Sequence, residues 1–440
     1  MAWGRNSLRP TFSLERMCNR RGWLEMRFFF PDAQDLVDPS FHFTTETRSE
    51  SRLRHRDDLF AHEVFSSPPY DGMLLSRAIV EGSGGESGRF TLAQRQRLLR
   101  LGAREFLRLP DQLETIGDCG AFSYIQETAP PVTVDEVLDF YEACDFDYGV
   151  SIDHIILAYQ PEIDNGLFGA ENIPEDWQKR QQITLELAAQ FLVRHSERRC
   201  RFQPVGAAQG WSPRSYAFCV AELQKMGYHK IGLGGMVPLK SHDIVAVLEA
   251  VSEVRDPETD LHLFGVTRLD HLEAFATHGV TSFDSTSPLR QAFKDDKDNY
   301  YAKNQTYTAI KVPQVSGNAK LQKRIVSGEV SQSEAIRLER SCLAELARYA
   351  KTKRGLPSVL QVLREYELLH DPRKDHTQVY ERTLRDCPWE QCDCEVCKSL
   401  GIHVVLFRGA ERNRRRGFHN LFVTYQRLRH SLSLREQGST

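Results

Sequence analysis

Between residues 73 and 290 the apolar positions alternate between two rhythms, short β-like runs and longer stretches with apolar residues three and four apart. "MLLSRAIV" precedes a helical pattern at 92–108, "ETIGD" one at 133–144, and "YGVSIDHII" one at 174–198. "RFQPVGAA" then leads into 213–226, "HKIGLGG" into 241–252 and "LHLFGV" into 269–277, with "VTSFDST" closing the series. Within 174–198, Trp177, Thr184, Leu185, Ala188, Phe191 and Leu192 fall at helical spacing and read mostly as core. Each helix must carry the chain back before the next strand, so repeated β-then-α units predict a parallel sheet. Seven or eight such units predict an α/β protein with a closed (β/α)8 barrel of the TIM type, with an open doubly wound sheet as the alternative.

The rhythm breaks at 291–386, which is polar and largely helical in pattern. "SQSEAIRLERSCLAELARYA" predicts an amphipathic helix capped by Ser333, with Ile336, Leu338, Leu343, Leu346 and Ala347 near one face. Four segments follow from these shifts. Residues 1–25 are Arg-rich and read as a non-native or disordered extension, with translation starting at Met26. Residues 26–290 form the barrel, 291–386 a helical insertion, and 387–440 a basic module completing the barrel.

A barrel of this kind presents its chemistry at the C-terminal ends of its strands. The unusual residues fall there: Asp118 after "ETIG", Asp153 after "YGVSI", Gln209 after "QPVGAA", Gly234 and Gly235 after "KIGL", Phe264 ending "LHLF", and Asp284 after "VTSF". Each aspartate alone is an ordinary turn or cap residue. Three converging on one mouth would repel one another, a cost that suits acid, base and nucleophile roles at a glycosidic carbon. The small Gly120 and Ala121, the aromatic Phe122 and the "LGG" turn suit a flat heterocycle, whose edge Asp153 and Gln209 could read.

Ten cysteines are present, four of them (Cys387, Cys392, Cys394 and Cys397) within eleven residues. Such clustering favours a metal over disulfides where no secretory signal is evident. Cys392, Cys394 and Cys397 with His419 supply the four ligands of one structural zinc, with Cys387 and His403 as competitors for the fourth place. From Lys398 onward nine Lys and Arg stand against two Glu, although the whole chain is −3; this end either faces nucleic-acid phosphate or is a solvated basic helix, and charge alone favours the second. Lys398, Arg412, Arg414, Arg415 and Arg416 are the candidate contacts. No apolar run approaches the roughly 18 residues that span a bilayer, so a soluble, cytoplasmic protein is expected.

These motifs, in this order, resemble the tRNA-guanine transglycosylase superfamily over about residues 115–290 and 387–425. "DCGAFSY" is similar to its acid/base motif, which would give that role to Asp118 and a stacking role to Phe122. "FDSTSPLR" is similar to its nucleophile motif, which would make Asp284 the nucleophile and Arg290 the trailing arginine. The resemblance further implies that Asp153 and Gln209 read the base, that Phe264 sandwiches it, and that Cys392, Cys394, Cys397 and His419 with the following "NL" form the zinc signature. Ala121, Ser123 and Leu289 depart from the family pattern. Lys240 stands where bacterial queuosine enzymes carry an acidic residue, which points to the nitrile base preQ0 over an aminomethyl base.

With "MRFFFPDAQDLVDPSF" included, the chain is most similar to the DpdA branch, implied to exchange guanine in DNA for a 7-deazaguanine through an aspartyl-glycosyl intermediate. Expected partners are DNA, free preQ0, a companion ATPase of the same modification system, and a second copy in a homodimer. The alternatives are the same exchange on tRNA, or a non-catalytic zinc-stapled nucleic-acid-binding subunit.

Overall fold

The computed structural model describes residues 26–83, 86–165 and 173–438, so the extension assigned to 1–25 lies outside the described residues. Eight parallel strands close into a barrel: β1 (Arg27–Pro31), β2 (Gly72–Ser76), β3 (Glu114–Asp118), β4 (Tyr148–Val150), β5 (Gln203–Ala208), β6 (Lys230–Leu233), β7 (Asp260–Leu263) and β8 (Val280–Asp284). Every strand pairs with its neighbours in the chain, and β1 closes the ring by pairing with β8, where Phe29 lies opposite Asp284. The (β/α)8 expectation holds, and the open sheet is excluded.

The predicted helices appear within a few residues of their expected bounds, among them Leu92–Phe106, Val134–Cys144, Glu175–Arg198, Pro213–Met226 and Ser241–Ser252. Their starts are chemically marked. Thr91, Thr133 and Ser212 each accept a backbone N–H from the first turn, removing one of the orphan donors that fray a helix end. In Glu175–Arg198 the fully buried residues are Gln181, Thr184, Ala188 and Phe191, while Trp177, Leu185 and Leu192 are half-buried.

The series read from residue 73 onward misses the strand that closes the barrel. In β1, Phe28, Phe29 and Phe30 are all buried, so the period-two signal of a half-exposed strand is absent. Inside the barrel Phe29 joins Leu74, Ile116, Tyr148, Val150, Val205 and Ala207, with Phe264 packed against them. Burying each of the larger aliphatic and aromatic side chains contributes roughly 1.5–3 kcal/mol and holds the strand ends in place.

The chain divides into two compact units. One contains the residues through Ala33, Tyr70–Ser285 and those from His430 onward; the other contains Gln34–Pro69 and Thr286–Arg429. The second unit is mainly helical. Its helix Gln332–Thr352 is capped by Ser331, whose side chain accepts the Glu334 N–H; Ser333, the expected cap, lies inside the helix and bonds the Ser331 hydroxyl. Ala335, Leu338, Cys342, Leu346 and Tyr349 form its buried stripe, whereas Ala347 is exposed and Ile336 and Leu343 are half-buried. No helix among the described residues is long and apolar enough to cross a membrane.

Candidate active site and metal centre

The C-terminal ends of the barrel strands surround a cavity of about 380 Å3 whose lining includes Asp118, Asp153, Asp284, Gln209, Gly234, Gly235, Phe122 and Phe264. Pro31 also lines it, so residues up to 253 positions apart in the chain share one wall. Ser76, Ile79 and Arg89, which sequence reasoning does not nominate, also line it.

Gln209 is wholly buried, and its Nε2 donates to Asp153 Oδ2 at 2.6 Å while its Oε1 accepts the Ile156 N–H at 3.3 Å. Its carbonyl in turn accepts from Gln181 Nε2 at 2.7 Å. Held at both ends, the amide has one orientation, and it fixes the Asp153 carboxyl beside it. Gly234 is required by that arrangement: a Cβ there would stand 2.1 Å from Gln209 Nε2. Tyr216 anchors the same turn by donating to the Gly234 carbonyl at 2.9 Å.

Electrostatically the cavity is tense. Burial raises Asp118 to about 7, the charge of Asp153 pushes the same way, and that of Asp284 adds to it, against bonds from Ser76 and the Gly120 N–H. Burial likewise raises Asp153 to about 6, opposed by its bond from Gln209. A carboxyl titrating near neutrality can both give and take a proton. Asp284 is differently placed. Its Oδ1 accepts the Gly265 N–H at 3.0 Å and lies 3.2 Å from Nε2 of His262, a buried residue of β7 that sequence reasoning misses. The available signal is a histidine amid apolar neighbours in "LHLF", two positions before Phe264 and so on the same face of the strand.

Phe122 is 57% exposed and Phe264 half-buried, so each leaves ring surface open to a planar guest. Arg290 does not join them: it is exposed on helix Ser287–Lys294, in the second unit, and is not part of the cavity wall. Lys240 is exposed at the start of helix Ser241–Ser252 and also lies outside the wall.

In the second unit, Cys392, Cys394, Cys397 and His419 bring their ligand atoms within 4.8 Å of one another. The three sulfurs lie 3.3–3.5 Å from His419 Nδ1. Zinc bonds of about 2.3 Å to sulfur and 2.0–2.1 Å to nitrogen give tetrahedral edges of about 3.5 Å, so the cluster fits one structural zinc. His419 is presented for that task. Its Nε2 donates to the Tyr301 carbonyl at 2.7 Å, which leaves Nδ1 bare, and its ring stacks on Tyr300 with centroids 4.1 Å apart. Asn420 accepts the Tyr301 N–H at 2.9 Å and donates to the Asn299 carbonyl, which explains the residue after the histidine. Neither competitor joins the cluster: Cys387 Sγ faces the Leu384 carbonyl and His403 lies against Phe43.

The basic stretch is corrected by its burial. Arg412, Arg415 and Arg416 are 2%, 8% and 0% exposed and spend their N–H groups within the protein. Arg412 bonds Glu46 and the Phe43 carbonyl, Arg415 the Asp38 carbonyl, and Arg416 the carbonyls of Ala292, Val404 and Leu406. A guanidinium buried this deeply cannot meet a phosphate. Lys398 is exposed and Arg414 half-buried, so only these two of the five retain a face for one.

No protein-family model matches the chain. It is 47% identical over 420 residues to a DNA-guanine transglycosylase of Salmonella montevideo, an alignment that covers 94% of this chain and all of the relative.

Proposed function

The chain belongs to the guanine transglycosylase family, and on that premise we propose that it is a pentosyltransferase exchanging guanine in DNA for the 7-deazaguanine base preQ0. The observation that carries the proposal is the convergence of Asp118, Asp153 and Asp284 on one cavity whose Gln209 is already bonded to Asp153.

In the first half-reaction a bond forms between a carboxylate oxygen of Asp284 and C1′ as the C1′–N9 bond breaks. The electron pair goes to N9, and Asp118, protonated at and below neutral pH, supplies the proton that lets guanine leave. In the second, Asp118 takes the N9 proton of incoming preQ0, N9 attacks C1′, and Asp284 departs. Asp153 and Gln209 hold the base edge while Phe122 and Phe264 cover its faces. One glycosidic bond replaces another, so no ATP is consumed. A base in a duplex must leave the stack first, at a cost of a few kcal/mol. Lys398 and Arg414 can offset part of that cost through phosphate contacts. Zinc, when bound, acts as a staple: four protein ligands leave it no open position for chemistry.

The test is incubation of the protein with DNA and radiolabelled guanine, beside a parallel reaction on bulk tRNA. Label entering DNA and chased out by unlabelled preQ0 is the expected result. Label entering tRNA alone would move the protein to the RNA-modifying branch, and no incorporation into either would favour the non-catalytic subunit.

A further inference from the structure

We propose that His262, oriented by Ser282, is a positioning residue that holds one carboxylate oxygen of Asp284 and so aims the other at C1′. The proposal rests on the reading of Asp284 as nucleophile. In the paired register of β7 and β8, His262 lies opposite Ser282, and both are 1% exposed. Ser282 and Asp284 are two apart on β8, so both point to the same face as the ring that contacts them.

The distances fix the tautomer. His262 Nε2 lies 3.2 Å from Asp284 Oδ1, and Nδ1 lies 2.9 Å from Ser282 Oγ. An ionised carboxylate only accepts, so Nε2 carries the proton; in a neutral ring Nδ1 is then bare and accepts the Ser282 hydroxyl. Burial works against the charged ring, and the nearby Lys230 adds to that effect, while Asp284 opposes it. Aromatic contacts limit the ring's swing: Phe264 stands at 4.7 Å and Phe29 at 6.1 Å between centroids, both edge-on.

Two donors, the Gly265 N–H and His262 Nε2–H, thus converge on Oδ1 of Asp284. Oδ2 is the oxygen left to attack. After attack, Oδ1 is the carbonyl oxygen of the glycosyl ester and keeps both bonds. When the second base arrives, the C1′–Oδ2 bond breaks and the electron pair returns to a carboxylate that is already solvated by the same donors. His262 moves no proton in either step; it keeps the geometry and stabilises the departing anion.

The test compares full-length His262→Phe, His262→Gln, Ser282→Ala and Asp284→Ala with the unaltered chain in the labelled-guanine exchange on DNA, alongside thermal unfolding. His262→Phe should lower kcat about 100-fold, the scale of a misaligned reacting group, with KM for DNA within about twofold. His262→Gln restores a donor and should recover at least about tenfold of the loss. Ser282→Ala should cost about tenfold through the unlocked tautomer, and it stands in if His262→Phe does not unfold cooperatively. A folded His262→Phe with kcat within about threefold of the unaltered chain, or a change confined to KM, overturns the proposal while Asp284→Ala remains inactive. Exchange surviving in Asp284→Ala overturns the proposed function itself.

Discussion

In the second unit Arg416 is wholly buried and donates to three carbonyls and to Asn413, and Arg408 and Arg412 share the carboxylate of Glu46. In the barrel cavity Asp118 and Asp153 are held by hydroxyl, amide and thiol groups, and Arg89 is the only cation in the wall among the described residues. The first arrangement gives each of these charges a hydrogen-bond partner inside the fold and resists change. The second leaves Asp118 beside like charges that raise its proton affinity, which stability alone would not favour. Counting partners therefore separates a structural role from a chemical one better than counting charges, and it reverses the reading of the basic helix.

Asp284→Ala should lower exchange by at least about 1,000-fold and abolish any denaturation-resistant protein–DNA adduct, read by gel shift of labelled DNA. If the adduct persists, the tense site is not where the covalent chemistry occurs.

The satisfied side breaks next at its metal. Cys394→Ser should leave less than one equivalent of zinc per chain by elemental analysis and remove the cooperative unfolding of the second unit, since metal binding of this kind supplies about 10 kcal/mol or more of folding free energy. Arg416→Met should destabilise by about 3 kcal/mol, because three carbonyls lose their donor inside the fold, with DNA affinity of the folded fraction unchanged. A loss of DNA affinity without a loss of stability would return Arg416 to the phosphate-contact role.

A pH experiment sharpens the contrast. Asp118 is raised to about 7 in the folded protein, by burial first and the Asp153 charge second, against about 3.9 when unfolded. Its contribution to stability is therefore full below pH 4 and is lost as pH rises through 7. Asp118→Asn removes that dependence. The variant should be inactive yet more stable than the unaltered chain by roughly 2 kcal/mol at pH 8, with the difference vanishing near pH 4, measured by urea unfolding at the two values. The smallest effect belongs to Lys398→Ala, which should change stability by less than about 0.5 kcal/mol and weaken DNA binding with a shallower salt dependence.

Much of the fold and of the site is legible in the amino-acid sequence. The alternation of rhythms marks seven barrel strands and most of the helices, and the strand-end rule gathers Asp118, Asp153, Gln209, Gly234, Phe264 and Asp284. Cys392, Cys394 and Cys397 follow from spacing, and His419 from its place beyond a fold-back. The misses share a cause. β1 is hidden because both its faces are buried, His262 because one histidine in an apolar run reads as core, and Arg412, Arg415 and Arg416 because a sequence shows charge and not its partners.

Local order along the chain thus determined the β-then-α succession, the residues at the strand ends and the ligand-bearing turn, because these depend on neighbours within a few positions. Tertiary structure alone decided which polar groups meet: that Ser282 faces His262 across a strand pair, that Gln209 is locked on Asp153, and that Glu46 neutralises arginines some 360 positions away. Such pairings are set by barrel closure and burial, where a hydrogen bond's value depends on what has been excluded from water, and no periodicity in one dimension carries that information.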